Sequence, residues 1–243
     1  MITVTVGGEE EVFTVHSNLL SAASPWFKTK IEREKQTSIR IESLNNKYLA
    51  DAFEIYVTWL YTGTMCTTFA DIDRRQVDEE LRAWAKSEFT KSSADRDTED
   101  DPITVTSREW PLLSGCIILG HRLEDHKFYN AAVDCLIEGA IDPGLLPSAL
   151  AALLCENLDK MSPAIQLIVD FWVYGADSEW FKVVDEDEDV VAAPQTFWVA
   201  AAKELTENRS TVSESAKREL VDREPWLKDR CKYHIHKDGK KCT

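Results

Sequence analysis

Apolar and polar side chains alternate over the first sixteen residues. Every second residue from Ile2 to Val6 is apolar, with threonines between, which is the period of a half-buried strand. Gly7 and Gly8 supply a turn, and Val12 to His16 is a second β-rich run. The pattern therefore predicts a β-hairpin.

Two short helices and a third strand are predicted next. Ser17 is placed to cap a helix that runs to about Ala23. Ser24 is placed to cap the next helix, with Pro25 at its first position, where the missing N–H is harmless. The segment SIRIES then alternates again, which predicts a strand.

The period changes to that of a helix from about Lys47. Apolar residues recur at intervals of three and four, at Leu49, Ala52, Phe53, Tyr56, Val57 and Leu60. Such spacing makes an amphipathic helix, and Gly63 is suited to end it.

Helical patterning dominates after Trp110. Asp125 is expected to cap a helix with one apolar face, formed by Phe128, Ala131, Ala132, Cys135 and Leu136. Asp142-Pro143 and Ser162-Pro163 each predict a helix start. Further helices are predicted from Gln195 to Thr206 and up to about Trp226. Two acidic stretches are predicted next: 92–101 is an exposed loop or a disordered insert, and 185–189 is an acidic loop.

The overall charge restricts the classes of partner. The chain of 243 residues has a net charge of −15, which repels nucleic-acid backbones and anionic lipids. From Lys217 onward, nine Lys or Arg against five Asp or Glu leave about +4. We expect binding to neither nucleic acid nor membrane, and a solubilising body with a mildly basic tail.

The cysteines and the N-terminus indicate the compartment. The six cysteines lie far apart, mostly within apolar helical patterns, which favours reduced thiols over disulfides. No basic start followed by an apolar stretch is present, so we expect no signal peptide. No run is long and apolar enough for a membrane span. We therefore expect a protein of the cytoplasm, the nucleus or both.

Three segments together resemble the BTB/POZ family. VFTVHSNLLSAASPWF (12–27) is similar to its F-x-V-H-x-x-L-L-x-x-x-S-x-x-F pattern, and AFEIYVTWLYTG (52–63) to its long helix ending in W-L-Y-T-G. LGHRLEDHKFYNAAVD (119–134) is similar to the L-G-x-x-L-x-D-x-x-F-x-N stretch of fungal members, and the closing CKYHIHKDGKKC to their tails. The resemblance touches most of residues 1–141 and the tail.

The resemblance implies an α+β BTB/POZ fold, with a small three-stranded sheet flanked by helices and a mainly helical C-terminal extension. The expected ranges are a BTB/POZ domain at 1–141, a helical extension at 142–226 and a polar Cys/His tail at 227–243. The implied function is protein–protein interaction as an adaptor or scaffold, including homodimer formation, without catalysis. Apolar side chains on the early helices and the long helix are the expected partner contacts, namely Leu19, Leu20, Trp26, Phe27, Phe53 and Tyr56. Burial in the core is the competing interpretation for those on the early helices.

An alternative function is a substrate adaptor for a cullin-type ubiquitin ligase. Many family members that recruit a cullin scaffold carry a hydrophobic-x-Glu motif between the second helix and the third strand. In this chain Ile31 is followed two places later by Arg33, and Glu34 is preceded two places earlier by Glu32. The motif is not intact, which counts against a cullin partner. A transcription-associated or zinc-binding regulatory protein is the other alternative.

The tail holds four side chains of the kinds that bind zinc, Cys231, His234, His236 and Cys242. One turn brings Cys231 near His234, and an extended chain puts His234 and His236 on one face. The spacing C-x2-H-x-H-x5-C is not that of a standard zinc finger, so a polar tail with incidental ligands is the competing interpretation.

Signatures of catalysis are absent from the sequence. There is no G-x-S-x-G, no G-x-x-x-x-G-K-[ST] and no G-x-G-x-x-G. His16 has no partner in the local sequence and sits at a strand end, which favours a structural role over acid–base chemistry. We expect no enzyme and, apart from zinc at the tail, no cofactor.

Overall fold

The computed structural model describes seven stretches of the chain, at residues 1–7, 11–42, 49–65, 103–139, 148–175, 193–211 and 225–236. The chain divides into two units. The first comprises residues 1–69, 109–136 and 234–243, and the second comprises residues 70–108 and 137–233. The predicted loops at 92–101 and 185–189, the helix start at Asp142-Pro143 and Cys242 lie outside the described residues.

The first unit begins with the predicted hairpin. Strand β1 (Ile2–Val6) pairs antiparallel with β2 (Glu11–Val15), and β3 (Ser38–Ile41) adds parallel to the other edge of β1. The order is β2-β1-β3. The inward face of β1 is fully apolar because Ile2, Val4 and Val6 are all buried, as the alternation predicts.

Two short helices, α1 (Ser17–Ala23) and α2 (Pro25–Lys28), connect the hairpin to β3 through a π-helical turn at Thr29–Arg33. Ser24 caps α2 as predicted, because its Oγ accepts a hydrogen bond from the Phe27 N–H at 3.1 Å. Its hydroxyl also donates to the Leu123 carbonyl at 2.5 Å. The predicted cap at Ser17 is wrong by one residue: His16 is the N-cap, and Ser17 opens the helix.

Helix α3 (Leu49–Thr62) carries the central aromatic core of the first unit. Leu49, Ala52, Phe53 and Tyr56 are buried as the helical spacing predicts, whereas Val57 and Leu60 are only partly covered. Gly63 ends the helix with a φ of 70° and donates its N–H to the Trp59 carbonyl at 2.7 Å. This left-handed conformation is the one that glycine adopts most easily.

Two longer helices contribute to the same unit. They are α4 (Ile103–Arg122) and α5 (His126–Gly139). Asp125 caps α5 as predicted, since its Oδ1 accepts the Phe128 N–H at 3.1 Å. A Cβ placed on Gly120 would lie 2.9 Å from the backbone of Tyr129, so the two helices approach closely where glycine lacks a side chain.

Helices alone make up the described part of the second unit. Here α6 (Ser148–Asn157) and α8 (Gln195–Thr211) pack on α7 (Pro163–Gly175), as do the short α9 (Pro225–Lys228) and a 3₁₀ turn at Arg230–Tyr233. Helix α7 is buried almost all around, from Ala164 to Trp172. The ring of Phe171 meets that of Trp226 edge-on at 4.6 Å.

The architecture confirms the predicted α+β class, with one small mixed sheet and a mainly helical remainder. The predicted helix start at Ser162-Pro163 is confirmed, and α8 runs five residues beyond the predicted Thr206. Among the described residues, no helix is long and apolar enough to cross a membrane.

Candidate functional site

The six predicted partner contacts divide into core and surface side chains. Leu20, Phe27, Phe53 and Tyr56 are fully buried within the first unit, whereas Leu19 and Trp26 are partly exposed. Fully buried side chains hold the domain together and present no area to a partner in this conformation. Of the six, Leu19 and Trp26 are therefore the ones that the structure leaves accessible.

The buried members form one continuous aromatic cluster. The Phe53 ring lies 5.0 Å from that of Phe13 and 6.4 Å from that of Phe27. Tyr56 continues the cluster, with its ring centroid 4.8 Å from that of Phe128 in an edge-on arrangement. Edge-on and tilted pairs of this kind suit the aromatic quadrupole. The cluster therefore stabilises, from their buried side, the helices that carry Leu19 and Trp26.

Tyr61 is an accessible side chain that the sequence did not single out. It lies in the last turn of α3 and is 50% exposed. Its hydroxyl is 2.5 Å from Nδ1 of His16, and the two rings meet edge-on. His16 is thus engaged by a residue 45 positions away, which is why its local sequence shows no partner; the contact suits the structural role expected for it.

The segment that would carry the cullin motif is also visible. Ile31 is partly buried in the π-helical turn, and Glu34 follows it on the surface. Glu34 accepts hydrogen bonds from Lys30 at 3.0 Å and from Gln36 at 2.9 Å. Two glutamates follow Ile31 closely in the sequence. Glu32 comes directly after it, and the carboxylate of Glu34 is already bound by Lys30 and Gln36.

Three of the four predicted zinc ligands come together. The ligand atoms of Cys231, His234 and His236 all lie within 4.8 Å of one another. The three residues fall within six consecutive positions, so their arrangement is that of a single stretch of chain. The fourth predicted ligand, Cys242, lies outside the described residues.

Two residues of α5 that the sequence did not single out bind the part of this stretch that belongs to the first unit, His234 and Ile235. Asp134 Oδ1 lies 3.2 Å from His234 Nε2. The side-chain amide of Asn130 makes two hydrogen bonds to the backbone of Ile235. It donates to the carbonyl at 3.1 Å and accepts from the N–H at 2.8 Å. Nothing in the local sequence predicts these contacts, because they join positions at least 100 residues apart.

Comparison with known families identifies the N-terminal region. Residues 1–91 match the BTB/POZ domain. The three-stranded mixed sheet with flanking helices is consistent with the fold of that domain, and a BTB domain is a protein-interaction module. No curated protein and no solved structure gives a significant match to the chain.

The match confirms that the first two motifs resemble the BTB/POZ family. It does not confirm that the third motif is of the fungal type. The segments 12–27 and 52–63 both lie inside the matched range, whereas 119–134 lies beyond it. The predicted extent of the BTB domain to residue 141 stays a prediction. Within the BTB domain, the accessible apolar side chains described above are the candidate interaction surface, namely Leu19, Trp26 and Tyr61.

Proposed function

We propose that the chain is an adaptor or scaffold whose BTB domain binds another protein, or a second copy of itself, without performing catalysis. The observation that carries this proposal is the match of residues 1–91 to the BTB/POZ domain, whose general role is interaction. The mechanism is burial of apolar side chains at an interface, in which a few aromatic anchors supply most of the binding free energy.

The contact surface proposed for the BTB domain consists of Leu19, Trp26 and Tyr61. Leu19 lies one turn after His16, and His16 bonds to Tyr61, so the beginning of α1 meets the end of α3. Trp26 lies on α2, where the Lys30 ammonium is 5.8 Å from its ring centroid. Partly exposed tryptophan and tyrosine side chains are typical anchors of protein interfaces.

The charge and the thiols support an intracellular protein partner. A net charge of −15 disfavours nucleic acid and anionic membranes, and the four described cysteines, Cys116, Cys135, Cys155 and Cys231, form no disulfide. Reduced thiols suit the cytoplasm and the nucleus. We therefore place the interaction in one or both of these compartments.

The proposal is tested by capture with the full-length chain. Wild type and a Leu19→Asp/Trp26→Ala variant are tagged and expressed in cells, and their bound proteins are identified by mass spectrometry. Each protein lost from the variant is then purified and tested for direct binding, and the self-association of the chain is measured by sedimentation velocity. A charge at Leu19 and the loss of the Trp26 ring remove apolar contact area, so we expect at least a tenfold weaker interaction, which is about 1.4 kcal/mol.

The control variant is Met161→Asp, which changes an apolar side chain that is 92% exposed in the second unit. We expect it to bind like wild type. Thermal melting of both variants verifies that they fold. If the surface variant folds and keeps every interaction of the wild type, the proposed surface is wrong; if wild type neither self-associates nor binds any purified candidate, the adaptor function is wrong.

The cullin-adaptor alternative is decided in the same samples. A cullin scaffold that binds the purified chain directly, and is lost from the surface variant, makes the chain a ligase adaptor despite its incomplete motif. Direct binding of other proteins without a cullin leaves it a scaffold of another kind.

A further inference from the structure

The C-terminal stretch from Arg230 to His236 changes conformation at the position where its metal-binding side chains begin. Cys231 lies in the 3₁₀ turn, and His234 and His236 follow in non-helical chain. A 3₁₀ turn has three residues per turn, which puts Cys231 above His234. The ring centroids of His234 and His236 lie 5.9 Å apart. The three side chains therefore converge within this short stretch.

The separation of the ligand atoms is close to what zinc requires. In a tetrahedral site with the usual zinc–sulfur and zinc–nitrogen bond lengths, neighbouring ligand atoms lie about 3.3 to 3.6 Å apart. The atoms of Cys231, His234 and His236 are within 4.8 Å of one another. Movements of about 1 Å, which side-chain torsions supply, bring them to coordination distance.

Helix α5 fixes both the backbone and one ring of this cluster. Asn130 holds the peptide groups of Ile235, which lies between the two histidines, and Asp134 holds Nε2 of His234. Asn130 and Asp134 are four residues apart and so share one face of α5. A carboxylate that contacts one ring nitrogen orients the imidazole, an arrangement found for metal-bound histidines in general.

We propose that Cys231, His234 and His236 bind a zinc ion and that Asp134 is the positioning residue that orients His234 for it. A thiolate with two imidazoles suits zinc rather than magnesium or calcium, which prefer oxygen ligands. On binding, Cys231 gives its thiol proton to the solvent while both imidazoles bind in the neutral form. The ion thereby cross-links the 3₁₀ turn to the stretch that follows it.

Cobalt provides the direct test on the full-length chain. The protein is purified with a reductant, stripped with a chelator and titrated with Co²⁺ under nitrogen. We expect one Co²⁺ per chain, a thiolate-to-cobalt charge-transfer band in the near ultraviolet, visible bands of tetrahedral strength, and loss of these bands when Zn²⁺ is added. Cys231→Ser is expected to lose the charge-transfer band and His236→Gln to weaken the visible bands, whereas Cys155→Ser, in α6, is the matched thiol control and keeps both.

The role of Asp134 has its own readout. Asp134→Asn is expected to lower the Co²⁺ affinity about 10- to 100-fold, the usual effect of removing a partner of a metal-bound histidine. Glu138→Gln removes a carboxylate one turn further along α5 that binds Arg230 instead, and is expected to leave the Co²⁺ affinity unchanged. Melting curves of the chelated proteins establish that each variant folds before metal is added.

Three results overturn the proposal. The first is a wild-type chain that gives no charge-transfer band with Co²⁺. The second is an unchanged band in folded Cys231→Ser, which moves the site to another thiol. The third, equal Co²⁺ affinity in Asp134→Asn and Glu138→Gln, removes Asp134 from the site. If Cys231→Ser fails to fold, the same decision rests on His236→Gln, because both residues are assigned as ligands.

Discussion

Asp125 joins two helices of the first unit through one carboxylate, and the residue is only 2% exposed. Its Oδ1 accepts the Phe128 N–H at the start of α5, and its Oδ2 accepts the Tyr56 hydroxyl from α3 at 3.1 Å. Burial raises the pKa of Asp125 and, together with the nearby carboxylate, the pKa of Tyr56. A carboxylate in such a place depends on both donors.

We expect Tyr56→Phe to destabilise the folded chain by about 1 to 2 kcal/mol, because it leaves one buried oxygen of Asp125 without its donor. Thermal or denaturant unfolding measures the change. Tyr61→Phe is the matched control, since it removes a hydroxyl from a half-exposed tyrosine at the end of the same helix. Equal effects of the two substitutions would contradict the assigned importance of the buried hydrogen bond.

Asp51, in the first turn of α3, makes stability depend on pH. Its partial burial, with repulsion from Glu11 and Glu54, raises its pKa from 3.8 to about 6. Because the pKa in the folded chain lies above the ordinary value, folding favours the protonated acid. The stabilising contribution of Asp51 is therefore complete below about pH 4 and is lost as the pH rises through about 6.

Asp51→Asn removes this ionisation, so we expect the variant to gain stability relative to wild type between pH 4 and pH 7. The gain should be about 1 kcal/mol, since solvent screens the partly exposed carboxyl. Urea unfolding at several pH values measures it, with Asp159→Asn, an exposed aspartate, as the control. A difference between Asp51→Asn and wild type that does not change with pH would rule out this titration.

At the level of elements, the connection from α4 to α5 is made by a residue in an unfavourable conformation. Glu124 has a φ of 56°, the left-handed region that L-residues avoid. The Asp125 N–H bonds back to the Gly120 carbonyl and the Glu124 N–H to that of His121, both near 3 Å. This is the Schellman motif, which usually places glycine where Glu124 stands.

Replacing Glu124 by glycine should therefore stabilise the chain by about 0.5 to 1 kcal/mol, the relief of left-handed strain less the added flexibility of the unfolded chain. Glu54→Gly is the opposing control, because Glu54 is exposed in the interior of α3 and glycine there should destabilise by about 1 kcal/mol. Both effects are read from urea unfolding. Destabilisation by Glu124→Gly would mean that the glutamate side chain contributes more than its backbone strain removes.

Across the whole molecule, charge is distributed unevenly along the chain. The net charge is −15, yet residues 217–243 carry about +4 by their side chains. Residues 1–216 then carry about −19, which repels a polyanion long enough to extend beyond the basic segment. The acidic body should therefore disfavour encounters with large polyanions.

We expect the full-length chain not to bind duplex DNA at physiological ionic strength, measured by fluorescence anisotropy of a labelled duplex. A basic DNA-binding protein of similar size serves as the positive control. Binding that weakens steeply with added salt would contradict this expectation and would indicate that the basic C-terminal segment acts independently of the body.

The sequence by itself determined most of the elements of the first unit. Alternation set the strands of the hairpin and β3, the three-and-four spacing set α3, and Ser24, Gly63 and Asp125 marked helix ends that the structure confirms. These features depend on local backbone geometry, so residues close in the chain suffice to specify them. The same local logic predicted that Cys231, His234 and His236 would meet.

Only the tertiary structure decided which apolar side chains are accessible and which polar side chains are hydrogen-bonded to each other. Leu19 and Leu20 are neighbours of equal hydrophobicity, yet Leu20 is fully buried and Leu19 is partly exposed. The pairing of Asp134 with His234 and of Asp125 with Tyr56 links residues 100 and 69 positions apart. Contacts at such separations depend on how whole elements pack, which no local pattern encodes.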